Sequence, residues 1–361
     1  MNFNELKSTY EGKRVLLTGH TGFKGTWMTL MLKLLGAEVK GYALPPIEHN
    51  ALYHEVRAEL YCDSVIADVR NRDKVEREIT KFNPDFIFHM AAQALVLESY
   101  KNPVETYQTN VMGTLHVLDS LKSLDYPCKT IVITTDKVYE NFEREEPYEE
   151  SERMGGFDPY SNSKACCELL TSSYRSSFFN PDKYNLHRQS IATVRSGNVI
   201  GGGDWSGNRI IPDLVRSLFN NEMLIVRNPK AVRPWQHVLE PLHGYLTLGA
   251  HMDKDPIKYA TAYNFGPNVE DQLNVEELIK EAIRIWGSGN YKVSHNQNQP
   301  HEANLLRLDI EKAKKELNWT PQFDSKKAIS YTLEWYKAVH DEKDIKEFTF
   351  DQIKTYYGIN E

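Results

Sequence analysis

A doubly wound parallel α/β sheet with a smaller, interleaved C-terminal domain is the fold this sequence predicts. Three observations carry that expectation. Short β-branched runs alternate with helix-length stretches through the first 135 residues, the pattern of successive βαβ units. A glycine-rich turn directly follows the first such run. The chain has 361 residues, 40% of them apolar and 26% charged, enough for one large α/β unit or two closely joined domains.

In order, RVLLTG (Arg14 to Gly19) reads as the first strand. Trp27, Leu30, Met31, Leu34 and Leu35 then recur at helical spacing, giving an apolar face to a helix that starts near Gly22 and stops at Gly36. Further strands are expected at Glu38 to Leu44, Ser64 to Asp68, Asp85 to Ala91, Thr130 to Thr135 and Ala192 to Gly201. The stretch from Tyr139 to Pro159 is acidic, carries prolines and a glycine pair, and has no periodicity, so it reads as a long surface loop of the kind that closes over sites. After Gly201 the βα alternation ends. The expected division is a cofactor-binding domain over 1–200, to which a segment near 240–266 returns because YNFGP resembles a strand and turn, and a second domain over 201–361.

Composition excludes several classes of function. Forty-three Lys and Arg against fifty Asp and Glu leave a formal charge of −7 and no basic tract, so nucleic acid is not an expected partner. The segment MNFNELKSTYEGKR has no apolar signal core, and no stretch approaches eighteen apolar residues; neither secretion nor a membrane span is expected, and the cytoplasm is. Cys62, Cys128, Cys166 and Cys167 show no zinc spacing, and the adjacent pair would project about 100° apart on a helix. Reduced thiols and no metal are the expectation.

The chemistry begins at TGHTGFKG, where Gly19, Gly22 and Gly25 lie between the first strand and its helix. Glycines let the backbone approach a pyrophosphate, and the helix N-terminus stabilises its charge, which is dinucleotide binding by a Rossmann-type unit. The acidic residue that reads an adenosine ribose at the end of the second strand is missing from GYALPP, and no arginine there announces a 2′-phosphate; the residues leave the choice of dinucleotide open. Asp68, with Val69, is a candidate contact to the adenine end, or else a cap for the next helix.

Tyr160 and Lys164 in PYSNSK stand four apart at a helix start, on one face. An ammonium beside a phenol lowers the phenol's pKa and lets tyrosine take a proton from a sugar hydroxyl. Thr135, Asp136 and Lys137 in TTDKVYEN end the fifth strand, at the edge where parallel strands open onto a crevice. Their groups suit hydrogen bonding of a reacting hydroxyl, protonation of a departing one, and acceptance of a carbon-bound proton. His89 and His237 read as structural histidines.

Taken in order, GHTGFKG, FHMAAQ, TNVMGT, TTDKVYEN, DPYSNSK, RSGNVIGGGDW, NRIIPD, RNP, RPWQHVLEPL and NFGP resemble the extended short-chain dehydrogenase/reductases, and within them the CDP-D-glucose 4,6-dehydratases, over nearly the whole chain. Lys137 points to that branch, since related dTDP-glucose and GDP-mannose dehydratases typically carry Glu there. The resemblance implies tightly held NAD, with Thr21, Phe23, Lys24, Ala91, Ala92 and Gln93 joining the glycines around it. It implies that Tyr160 deprotonates the C4 hydroxyl, that Thr135 hydrogen-bonds it, and that Lys164 holds the phenolate. Lys137, as a neutral amine, would take the C5 proton, and Asp136 would protonate the C6 hydroxyl as it leaves. Asn198, Arg209, Arg233, His301 and Glu302 are the candidates for the substrate's anionic half, with Arg233 suited to bidentate phosphate contact. A homodimer and a place in deoxysugar and polysaccharide synthesis are also implied. Ala94, Leu97, Arg153 and Ser196 depart from residues usual in the family, namely proline, arginine, proline and alanine. The residues that separate this reading from a 4-epimerase are Asp136 and Lys137, because epimerisation needs no elimination. A catalytically silent NAD-binding scaffold would not need the Tyr160 and Lys164 pair.

Overall fold

The computed structural model describes residues 1–271, 273–294 and 305–359. Strands β1 (Arg14–Thr18), β2 (Glu38–Ala43), β3 (Asp63–Ile66), β4 (Phe86–His89), β5 (Cys128–Ile133) and β6 (Gln189–Ser196) form in the stretches where the sequence alternates. Later come β7 (Val199–Ile200), β8 (Met223–Val226), β9 (Val232–Arg233), β10 (Gln236–His237), β11 (Ala262–Phe265), β12 (Leu273–Asn274) and β13 (Asn290–Val293). Seven of them make one sheet in the order β11-β6-β5-β4-β1-β2-β3, with every neighbouring pair parallel. β5 and β6 are buried along their whole length, as strands covered on both faces must be. The order reverses between β1 and β4, so the carboxyl ends of these two strands open a crevice.

The remaining strands make two-residue and four-residue ribbons, β7 with β10, β9 with β12, and β8 with β13. The sixth strand is shorter than the sequence suggests. Its run breaks at Gly197, where a Cβ would lie 2.6 Å from Pro234 Cγ and 3.0 Å from Asp136 Oδ2. The chain leaves the sheet there and resumes as β7. The 139–158 segment has no regular element beyond bridges from Tyr139 to Met154 and from Tyr148 to Leu308.

The helix Phe23–Leu34 is buried on more than its expected apolar face, from Gly25 through Leu32. Its threonines tolerate this because Thr26 Oγ1 donates to the Gly22 carbonyl at 3.0 Å and Thr29 Oγ1 to that of Gly25 at 2.9 Å. Trp27 Nε1 reaches across to the Gly202 carbonyl at 3.0 Å. Gly202 in turn leaves the room that Trp335 fills, since a Cβ there would sit 2.0 Å from the indole. No helix among the described residues is long and apolar enough to cross a membrane.

The helix Leu239–Lys254 is buried along nearly its whole length. Near its start, the Glu240 carboxylate accepts hydrogen bonds from the N–H groups of Gln322 and Phe323 and from the Tyr356 hydroxyl, at 2.9 to 3.2 Å. Burial outweighs these bonds and pushes the carboxyl up to about 7, from an ordinary 4.5. Ionisation is therefore easier in the unfolded chain, and the group's stabilising contribution is present below pH 4.5 and lost as pH rises through about 7. Thermal or urea unfolding across that range should show wild type falling relative to Glu240→Gln by roughly 3 kcal/mol. A difference that does not change with pH would contradict this assignment.

Candidate active site

The glycine turn is built by close approach. Gly19 leaves β1 with φ of +77°, and a Cβ on it would lie 2.8 Å from the Ala91 nitrogen. A Cβ on Gly25 would lie 2.0 Å from the Gly19 carbonyl oxygen, so turn and helix pack without room for a side chain. Gly22 is the helix N-cap and supplies no side-chain acceptor. First-turn N–H groups and the positive end of the helix dipole thus meet at the crevice, and this cradle fits a dinucleotide pyrophosphate.

Around the turn, Thr21 Oγ1 donates to the Leu44 carbonyl at 2.8 Å and so ties the loop to the end of β2. Ala91 donates its N–H to Thr18 Oγ1 at 3.1 Å. Past the half-buried Ala92, the Gln93 N–H donates to Asn110 Oδ1 at 2.8 Å, and Asn110 Nδ2 returns a bond to the Gln93 carbonyl at 3.0 Å. Asp68 does not cap the following helix, which Asn71 caps. Its carboxylate instead takes a forked pair of bonds from Arg70, at 2.8 and 2.6 Å, which holds it below the usual carboxylate range. Val69 is buried against Gly113, where a Cβ would lie 2.7 Å from Val69 Cγ1.

Two residues of the motif do more than its spacing announces. His20 is fully buried, its Nε2 lies 2.7 Å from Ser64 Oγ, and its ring fills the space left by Gly41. Burial drops it to about 4, so it is neutral. Phe23 is packed against the main core and starts the helix; the next residue, Lys24, is turned inward. Its Nζ donates to Tyr245 OH at 3.1 Å and to Ser196 Oγ at 3.3 Å. Burial, with Arg209 acting in the same direction, brings this amine down to about 7.

At the end of β5, Thr135 Oγ1 donates to Asp136 Oδ1 at 3.0 Å and accepts the Lys137 N–H at 3.4 Å, shaping a single helical turn. Asp136 is 2% exposed and its Oδ2 has no hydrogen-bond partner. Burial raises its pKa against the opposing charges of Lys137 and Arg233, which suits a proton donor. Asp158 caps the helix Pro159–Ser177 by accepting the Ser161 N–H, and Tyr160 sits in its first turn. Lys164 Nζ donates to the Ile133 carbonyl at 2.9 Å. The expected lowering of the phenol by Lys164 is not what the geometry gives. Burial pushes Tyr160 up to about 12, and the opposing influences come from the Thr135 hydroxyl and the Arg209 charge. The Lys164 amine is itself lowered by burial.

A cavity of about 560 Å³ lies before Asp136 and Lys137. Asn198 and Arg233 line it, as do Tyr139 to Glu143 and Gly155 to Asp158 of the long loop. Arg209 pairs with Asp204 at 2.9 Å while still acting on Tyr160 and Lys24. His301 and Glu302 lie outside the described residues. His89 bridges Thr18 and Thr114 at 2.8 and 3.1 Å, and burial drops it to about 3; His237 is equally buried and equally lowered. Ala94 is exposed, Arg153 pairs with Glu140 at 3.0 Å, and Ser196 belongs to the Lys24 and Tyr245 cluster. Sequence reasoning passed over Asn110. It is buried in a widened π-turn, Gln108–Met112, and links Gln93 to Ser163 on the Tyr160 helix; the motif TNVMGT was its signal.

The chain is similar to several known proteins. A CDP-glucose 4,6-dehydratase of Salmonella typhimurium is 46% identical over 332 residues, covering 92% of each chain. A dTDP-D-glucose 4,6-dehydratase of Mus musculus is 26% identical, covering 93% of this chain and 92% of its own. Among solved structures, a dTDP-glucose 4,6-dehydratase double mutant from Streptomyces venezuelae with NAD bound superposes at a TM-score of 0.77. It is 23% identical and covers 92% of this chain and 99% of that one. Thermus thermophilus UDP-glucose 4-epimerase in complex with NAD gives 0.75 at 21% identity, covering 90% and 99%. The family model described as GDP-mannose 4,6 dehydratase matches residues 16–332, and the chain belongs to that family.

Proposed function

We propose that the protein is an NAD-dependent hydro-lyase that converts CDP-D-glucose to CDP-4-keto-6-deoxy-D-glucose, a step in deoxysugar synthesis. The carrying observation is the buried acid Asp136, with its free Oδ2, standing beside Lys137 in the cavity wall at the end of β5. The 46% identical relative with a CDP-glucose activity supports the choice of nucleotide. Residues 1–200, with the returning 240–266 segment, hold the cofactor; the 201–361 part mainly holds the sugar nucleotide.

Gly19, Gly22 and Gly25 would hold NAD, which when bound would supply the acceptor for the C4 hydride and the source of its return to C6. Tyr160 Oη takes the C4 hydroxyl proton, and the Thr135 hydroxyl and the Arg209 charge favour its phenolate against the burial that opposes it. The ketone at C4 acidifies the C5 hydrogen. Lys137 takes that proton and returns it to C5 once C6 has received hydride, and Asp136, whose proton affinity burial raises, passes its own proton to the departing C6 hydroxyl, which leaves as water. Lys164 holds its place through the Ile133 carbonyl. Arg233 and Asn198, lining the same cavity, meet the diphosphate side. Exposed Val104 and Leu169, on helices that pack together, support a homodimer.

Incubation with CDP-glucose and NAD should produce the alkali-dependent 4-keto chromophore, and a panel of CDP-, dTDP-, UDP- and GDP-glucose should show the CDP sugar preferred. An epimerised sugar without the chromophore would reject dehydration. Lys137→Ala should retain NAD binding and lose exchange of the C5 hydrogen with solvent; unchanged turnover would remove Lys137 from the reaction. Asp136→Asn should lower kcat by about 10²- to 10⁴-fold, the range for one general acid, while substrate affinity stays within a few-fold.

A further inference from the structure

The NFGP run and the buried face of β6 have no part in the chemistry described so far, yet they meet beneath the wall of the cavity. Arg195 and Asn264 are register partners on β6 and β11, and both are almost wholly buried. Arg195 Nη1 donates to Tyr139 OH at 2.7 Å and to the Glu150 carbonyl at 3.0 Å. Tyr139 OH in turn donates to Asn264 Oδ1 at 2.8 Å. Asn264 Nδ2 then donates to the Tyr148 carbonyl at 2.9 Å and to that of Asp309 at 3.0 Å, while its backbone N–H is accepted by the Glu150 carboxylate at 2.8 Å. Three separate points of the irregular 139–158 segment are thus fastened to two neighbouring strands.

The other side of Arg195 faces the catalytic elements. Its Nε and Nη2 each lie 3.0 Å from the carboxylate of Glu168, one helical turn beyond Lys164. The same carboxylate accepts the hydroxyls of Thr193 and Thr134, and Thr134 is the residue before Thr135. Such a network, fully satisfied at low dielectric, is stiff.

We propose that Arg195 and Asn264 are positioning residues for the reaction: together they set the height of the 139–158 segment over the sugar end of the cavity and, through Glu168, tie it to Thr135 and the Tyr160 helix. The notion of a sugar end rests on the dehydratase reading above. The pair touches no reacting atom. Its influence is on how closely Tyr139, Glu140 and Gly155 approach the substrate, so its loss shows first in substrate affinity.

Tyr139→Phe removes one hydroxyl and both of its bonds, and Asn264→Ala removes the fastening to Tyr148. For each, KM and kcat with CDP-glucose, Kd for NAD, thermal unfolding, and amide hydrogen exchange across 139–158 are measured on the full chain. The expected result is a KM raised about fivefold for Tyr139→Phe and more for Asn264→Ala. NAD affinity should stay within twofold, and exchange should quicken in 139–158 and not in 165–175. A fall in kcat at unchanged KM, or exchange unaltered in that segment, overturns the proposal. If Asn264→Ala fails to fold, Tyr139→Phe decides alone. Wild type that does not turn over CDP-glucose rejects the substrate reading instead, and the exchange measurement still judges the pair.

Discussion

Exclusion of water from the carboxyl ends of the central strands governs the chemistry of this molecule. For Lys24, Asp136, Tyr160 and Lys164, burial is in every case the foremost influence on proton affinity. It acts against charge on each, lifting the acid and the phenol and depressing the two amines. Burial thus moves Lys24, Asp136 and Lys164 towards their neutral forms and makes the Tyr160 phenol harder to ionise. Against that effect the Thr135 hydroxyl favours the ionised form of both Tyr160 and Asp136.

That dry pocket exists because the sheet is parallel and the order of its strands reverses once. β1, β4 and β5 end at the same edge, so residues far apart in sequence, such as Gly19, Ala91 and Thr135, face one crevice. Side chains fill the space around the glycine turn. His20 fills the space beside Gly41, and Lys24 lies over the Tyr245 ring with its amine 5.2 Å from the ring centre. Ser196, one of the positions that depart from the family's usual residue, supplies a hydroxyl to the amine and to the tyrosine.

Much of this was legible in the sequence, and for reasons that can be named. The glycine turn is readable because only glycine permits the approach of Gly25 to Gly19, and the places of the first strands because short β-branched runs alternate there with helix-length stretches. Tyr160 and Lys164 were found by their spacing. The direction of the tyrosine's shift was not, because spacing shows that an amine is near but not how deeply the phenol is buried. Asp68 was read as a ligand contact or a cap for the next helix, and the cap is Asn71 instead, which the spacing alone does not distinguish. The roles of His20, Asn110, Arg195 and Asn264 depend on partners dozens to more than a hundred residues away, and no local pattern records such pairings.

The seam between the two halves of the chain has a consequence for anyone wishing to recombine this enzyme with its relatives. Trp27 from the first half bonds to Gly202, and the bareness of that glycine is what admits Trp335 from near the other end. A chimaera cut at the glycine-rich run would inherit one indole without the surface that accommodates it. The practical unit of exchange is therefore the trio itself, which binds the ancestry of the two halves to a single inheritance.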